Sequence, residues 1–186
     1  VIVSTDSKKI KKIALKYGAD VPFLRPKKYS LDNSRDYEVI SHALKWLKNN
    51  EGYEPDLIIH LRPSYPMRDY KFIDKQISIA VKNKNFDAYK SVVGASQTPF
   101  KMWFKSKKFI RPVIGDLKKE YFNYPRQLLR KVYWQNACLD IINPKSLKRY
   151  RSISGKKIIP IIMKDNEVYD VDHHSDLKEI KKKFTM

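Results

Sequence analysis

The chain holds a single cysteine, Cys138. One thiol makes no disulfide framework and no cysteine set for zinc. No apolar run approaches the roughly 20 residues that a membrane-spanning helix needs. No charged-then-apolar amino-terminal segment reads as a secretory signal, so the expectation is a cytoplasmic protein with no membrane partner. Acidic residues are scarce, 20 against 39 lysines and arginines, for a formal charge of +19. Such an excess invites a nucleic-acid reading. Nine of the cations are arginines (25, 35, 62, 68, 111, 126, 130, 149 and 151), leaving 39 − 9 = 30 lysines, and these scatter instead of forming one stripe. RNP-type and GXXG signatures are missing as well, which argues against nucleic acid as a partner.

What is present suffices for a core. The 186 residues are 42% hydrophobic and 12% aromatic, the profile of one ordinary folded domain. The chain opens inside an apolar strand, Val1-Ile2-Val3. Because a strand needs neighbours, this predicts a fragment lacking an amino-terminal unit. A Ser4-Thr5-Asp6-Ser7 cap cluster then leads into a helix with Ile10, Ile13, Ala14 and Tyr17 on one face, closed by Gly18. A second helix, capped by Ser34 or Asp36, carries Val39, Ile40, Ala43, Leu44 and Leu47. Residues 57–61 form a strand, and Asp69 caps a helix with Phe72, Ile73, Ile77, Ala80 and Val81 on one face. Residues 87–94 form the next strand. This alternation predicts an α/β fold, a doubly wound, mostly parallel sheet. After Gly94 come hairpin strands at 100–104 and 109–112 and a β-rich stretch from Leu128 to Ile142, an aromatic excursion suited to burial against another subunit. Strands at 157–163 and 167–172 and a final helix with Leu177, Ile180 and Phe184 close a single domain.

The central motif is Leu61-Arg62-Pro63-Ser64-Tyr65-Pro66-Met67-Arg68. Its prolines stiffen a loop beyond a strand end, where α/β sheets bind ligands. The guanidinium groups of Arg62 and Arg68 match a carboxylate or phosphate, or else pair with surface carboxylates. Near the carboxy terminus, Asp170 and Asp172 share a face of an extended strand. Two close carboxylates suit a magnesium ion, although Asp172 or Asp176 could simply cap the final helix. His173 and His174 point apart on a strand and make a poor zinc pair. Lys101 and Arg126, with Gln135 and Asn136, could grip an acidic substrate. Arg25, Ser34, Arg35 and Asp36 could read a base edge or phosphates.

Taken in order, Val-Ile-Val-Ser-Thr-Asp-Ser, Tyr-Gly-Ala-Asp-Val-Pro-Phe-Leu-Arg-Pro, the Leu-Arg-Pro loop, Phe-Lys-Met-Trp, Pro-Arg-Gln, Tyr-Trp-Gln-Asn and Asp-Val-Asp resemble the acylneuraminate cytidylyltransferases, or CMP-sialic acid synthetases. The resemblance spans essentially the whole chain. It implies a nucleotide-diphospho-sugar transferase-like sheet with a β-rich dimerisation excursion. The implied activity moves CMP from CTP to the anomeric hydroxyl of a sialic-acid-like 2-keto-3-deoxy sugar acid, releasing pyrophosphate, for lipopolysaccharide or capsule synthesis. It further implies magnesium and a homodimer whose sites draw on both subunits. By matching positions, Asp170 and Asp172 would hold the metal, and Arg25, Ser34 and Asp36 would surround the nucleotide. Arg62, Lys101, Arg126, Asn136 and Asp140 would line the sugar side, with Lys101 and Arg126 also in the catalytic set.

Departures accompany the likeness. The family's glycine-rich, lysine-containing phosphate loop is missing. Residues 1–186 therefore read as a cytidylyltransferase domain without its phosphate-loop unit, and inactive as they stand. Arg62 replaces a glutamine of the best-known members, Asn136-Ala137 replaces Asn-Gly, and Asp140 replaces a sugar-side tyrosine, which leaves the acceptor sugar open. The competing expectations are a non-catalytic nucleotide- or sugar-binding remnant and a basic RNA-binding domain.

Overall fold

The computed structural model describes residues 1–164, 170–171 and 173–184. Its contacts divide the chain into two compact units, Val1–Ile58 with Asn85–Ala88 and Ile142–Ile158, and Ile59–Lys84 with Tyr89–Ile141 and Ile159–Met186.

In the first unit, Ser7 Oγ accepts from Ile10 N at 3.3 Å and starts α1 (Lys8–Lys16). Gly18, at φ +80°, follows its end as expected. The opening segment is not a core strand. Val1 is 89% exposed, and, among the described residues, 1–3 pair with Asp20 through one parallel bridge. Helix α2 (Asp36–Glu51) is capped by Arg35, not by Ser34 or Asp36. Ser34 Oγ turns back to accept from Leu31 N, and the Glu38 carboxylate accepts from Arg35 N at 3.0 Å. That bond lowers the Glu38 pKa. The apolar face of α2 is correctly anticipated: Ile40 packs with Ile142 and Leu147, and Tyr37, Leu44, Ile58 and Ile153 surround them.

Helix α4 (Pro144–Tyr150) has no counterpart in the sequence reading. Its signal is Asn143-Pro144: Asn143 Oδ1 accepts from Lys145 N at 2.9 Å, and proline occupies the first turn, where its missing N–H costs nothing. Beside it lies a buried carboxylate. Asp87 accepts from Ser146 Oγ and from the backbone N–H groups of Lys156 and Lys157, both at 2.8 Å. Gly155 (φ +65°) turns the chain onto it so closely that a Cβ there would sit 2.4 Å from Asp87 Cβ.

The second unit carries the body of a four-stranded sheet in the order β1 (Ile58–His60), β5 (Tyr133–Ile142), β2 (Ala88–Gly94), β6 (Ile158–Ile162). The α/β class agrees with expectation. Strand β1 is shorter than predicted, because Leu61 already begins the proline loop. Helix α3 (Tyr70–Lys82) has its expected cap, Asp69 Oδ1 accepting from Lys71 N, but Val81 points to solvent. Strands β3 (Trp103–Ser106) and β4 (Phe109–Pro112) form an antiparallel hairpin that pairs Phe104 with Arg111 and Ser106 with Phe109. The β-rich stretch begins its strand only at Tyr133, because Arg126–Leu128 is a 3-10 turn. Helix α5 (His174–Phe184) starts where Asp176 Oδ2 accepts from His173 N at 2.7 Å.

Candidate functional site

The loop after β1 is held by Arg68. Its guanidinium donates to the carbonyls of Arg62 and Tyr65, and through Nε to Cys138 O at 2.9 Å. Burial lowers the pKa of this group. Arg68 thus spends its fork on backbone carbonyls. The two-arginine reading of the loop is corrected to one arginine that organises the loop and one paired with Asp140, because the carbonyls of Arg62, Tyr65 and Cys138 take up the Arg68 fork.

Arg62 Nη1 lies 2.8 Å from Asp140 Oδ2. Lys90 Nζ reaches Asp140 Oδ1 at 3.3 Å, Gln135 Nε2 reaches the same oxygen at 3.4 Å, and His60 Nδ1 is 3.6 Å from Oδ2. Asp140 is 0% exposed and Lys90 9%. Burial alone would raise the Asp140 pKa, but the contact with His60 and the charges of Lys90 and Arg62 outweigh it and hold it below the usual carboxylate value. Asn136, also expected on the sugar side, is buried on β5, where Nδ2 contacts Met163 Sδ at 3.2 Å and Oδ1 accepts from Cys138 N.

Arg126 and Lys101 sit farther along the unit. Arg126 Nη2 donates to Ala95 O at 3.2 Å and lines a cavity of about 520 Å³ with Ser96, Thr98, Arg130, Lys131 and Trp134. Lys101 ends the 3-10 turn Pro99–Lys101, exposed, and is not in that lining. Val171 N donates to Ser64 O at 2.8 Å, tying residues 170–171 to the proline loop. The Oδ1 atom of Asp170 is buried there without a hydrogen-bond partner. Asp172, expected beside it, lies outside the described residues, and so do 165–169. An unpartnered buried carboxylate oxygen fits a hard cation, which takes few protein carboxylates and completes its shell with water and phosphate oxygens.

In the first unit, Ser34 and Asp36 line a second cavity, of about 500 Å³, with Arg35, Tyr37, Arg151 and Ser152. Arg25, grouped with them in the sequence, is not in that lining. Its Nε donates to Ser30 Oγ at 3.0 Å, and Nη2 stands 3.9 Å from Asp6. Sequence reasoning missed Lys90. Its signal is a lysine inside an apolar strand, Ala88-Tyr89-Lys90-Ser91-Val92-Val93, where only a buried partner makes the charge tolerable.

No family profile matches the chain. A curated protein does: the post-translational flagellin modification protein B of Campylobacter coli is 30% identical over 182 residues, 96% of this chain and 74% of that protein. The chain belongs to the acylneuraminate cytidylyltransferase family. An N-acylneuraminate cytidylyltransferase of Escherichia coli O18:K1:H7 is 26% identical over 183 residues, 96% of this chain but 40% of the longer protein. A CMP-N,N'-diacetyllegionaminic acid synthase of Legionella pneumophila is 25% identical over 178 residues, 92% of this chain and 72% of that one. A solved CMP:2-keto-3-deoxy-manno-octonic acid synthetase, complexed with CTP, shares the fold at TM-score 0.66 and 12% identity, covering 100% of this chain and 80% of its own.

Proposed function

We propose that this chain is a cytidylyltransferase that moves CMP from CTP to the anomeric hydroxyl of an acidic, sialic-acid-like 2-keto-3-deoxy sugar, releasing pyrophosphate, in cytoplasmic synthesis of surface polysaccharide. Family membership supports the reaction class, and three relatives or neighbours carry sugar-acid names. The observation that carries the reading is the Asp170 oxygen without a hydrogen-bond partner beside the loop that Arg68 organises. Asp170, with Asp172, would hold magnesium. When bound, that ion neutralises phosphate charge and lowers the pKa of a coordinated hydroxyl.

The chain's own groups position and neutralise, which is most of what phosphoryl transfer asks of a protein. Ser34 and Asp36, with Arg25 on the same unit, would hold the nucleotide. Arg62, Lys101 and Arg126 would hold the acidic sugar, Arg126 from a cavity that also carries Arg130 and Lys131. The exposed hairpin face bearing Phe104 and Phe109 would be covered in a homodimer.

The test is pyrophosphate release from CTP with N-acetylneuraminic acid, N,N'-diacetyllegionaminic acid or 2-keto-3-deoxy-manno-octonic acid, measured on residues 1–186 joined to the family's glycine-rich phosphate loop ahead of Val1. Release with at least one sugar, abolished by chelation and restored by magnesium, is the expected result. Asp170→Asn should cut turnover by roughly a hundredfold or more and weaken manganese binding followed by electron paramagnetic resonance. Magnesium-independent release, or an Asp170→Asn protein with full turnover, would overturn the metal assignment.

A further inference from the structure

Asp140 is the least accessible charged group among the described residues of the second unit, yet it meets four polar side chains: Arg62 and His60 on one oxygen, Lys90 and Gln135 on the other. At 0% exposure it offers no atom to a substrate. Arg62 keeps 21% of its side chain exposed, at the mouth of the loop that follows β1. A buried carboxylate is stable only when its charge is answered, and the charge-assisted pair fixes the geometry of the guanidinium that answers it. Lys90 comes from β2 on the far side of β5 and holds the second oxygen. The carboxylate is therefore pinned from both sides and cannot swing with Arg62.

We propose that Asp140 is a positioning residue for acceptor recognition. It does not touch the sugar; it aims Arg62 at an oxygen-bearing substituent of the acidic acceptor, and Lys90 anchors Asp140 in turn. This rests on the cytidylyltransferase reading above. Side-chain entropy explains the benefit: a free arginine gives up rotamer freedom when it binds, whereas one already held in a charged pair loses little. Specificity follows as well. A group without oxygen acceptors, set against this cluster, would strip water from charges and return no hydrogen bond.

The test measures initial rates with the chain carrying the restored phosphate loop, CTP and whichever of the three sugar acids above supports release. Asp140→Asn should raise the KM for the sugar roughly tenfold or more, the size expected when a charge-assisted bond is lost, while leaving the KM for CTP unchanged. Asp140→Glu, which keeps the charge, should recover part of the loss. Arg62→Gln alone should weaken the sugar KM similarly, and Asp140→Asn added to Arg62→Gln should change it little further, because the first residue acts through the second.

Thermal melts separate misfolding from misaiming. If Asp140→Asn does not fold, the balanced pair Lys90→Met with Asp140→Asn, which removes one charge of each sign, takes its place with the same expected KM split. Equal rises in both KM values, an unchanged sugar KM, or full additivity with Arg62→Gln would overturn the positioning role. If the chain carrying the restored phosphate loop, otherwise unaltered, releases no pyrophosphate with any of the three sugars, the cytidylyltransferase reading itself fails and the role falls with it.

Discussion

Gly155 shows how much a single residue can decide. Its φ of +65° already disfavours any Cβ, and the space a Cβ would need is filled by the Asp87 side chain. Gly155→Ala should therefore destabilise the protein by at least about 2 kcal/mol, from backbone strain and overpacking together. Denaturant unfolding checks this, and a midpoint within error of the parent would show that the turn can relax. Asp87 makes a pH statement too. The Ser146 hydroxyl first, and then the Lys157 and Lys156 N–H groups, hold its pKa below the usual value. A depressed folded-state pKa means that the unfolded chain binds more protons in the acid range. Its contribution is thus complete above the unfolded value of about 3.9 and is lost as pH falls toward the folded one. Thermal melts of Asp87→Asn should show a shallower acid limb than the parent; identical limbs would remove Asp87 as its source.

Among the elements, the proline loop depends most on one side chain. Removing Arg68 takes one donor from each of three carbonyls, so Arg68→Met should cost about 2–4 kcal/mol. Amide exchange in residues 61–68 should accelerate, and unchanged protection there would contradict the clamp. The loop was legible in the sequence as a stiff segment beyond a strand end because prolines leave a plain mark. The role of Arg68 was not, since one of its acceptors, Cys138 O, is 70 residues away. Asp140 and Lys90 were illegible as a pair for the same reason: they lie 50 positions apart and meet only because β5 and β2 are neighbours. Helix α4 was missed because Asn143-Pro144 reads equally as a break or a beginning. Of the hairpin, the second strand was placed residue for residue, while the first starts at Trp103, three residues later than expected, because Pro99–Lys101 is a 3-10 turn.

At the scale of the whole molecule, the hairpin is one of the places that expose large apolar groups. Phe104 and Phe109 are 64% and 66% exposed. The register puts both on one face, because Phe109 pairs with Ser106, two residues from Phe104. If that face is where two copies meet, Phe104→Glu should convert a dimer to a monomer in sedimentation velocity without altering the far-ultraviolet spectrum. A dimer that survives the substitution would place the contact elsewhere. The formal charge of +19 adds a condition: two copies repel at long range, so association should tighten as salt is raised.

The clamp at position 68 bears on how this lysine-rich chain can change. An ammonium gathers its protons on one atom and cannot reach carbonyls set as far apart in the chain as residues 62, 65 and 138, whereas a planar fork serves all three. A swap of one basic residue for the other, harmless on a solvated helix face, is disallowed here. Position 68 is a place where shape, and not charge alone, is required.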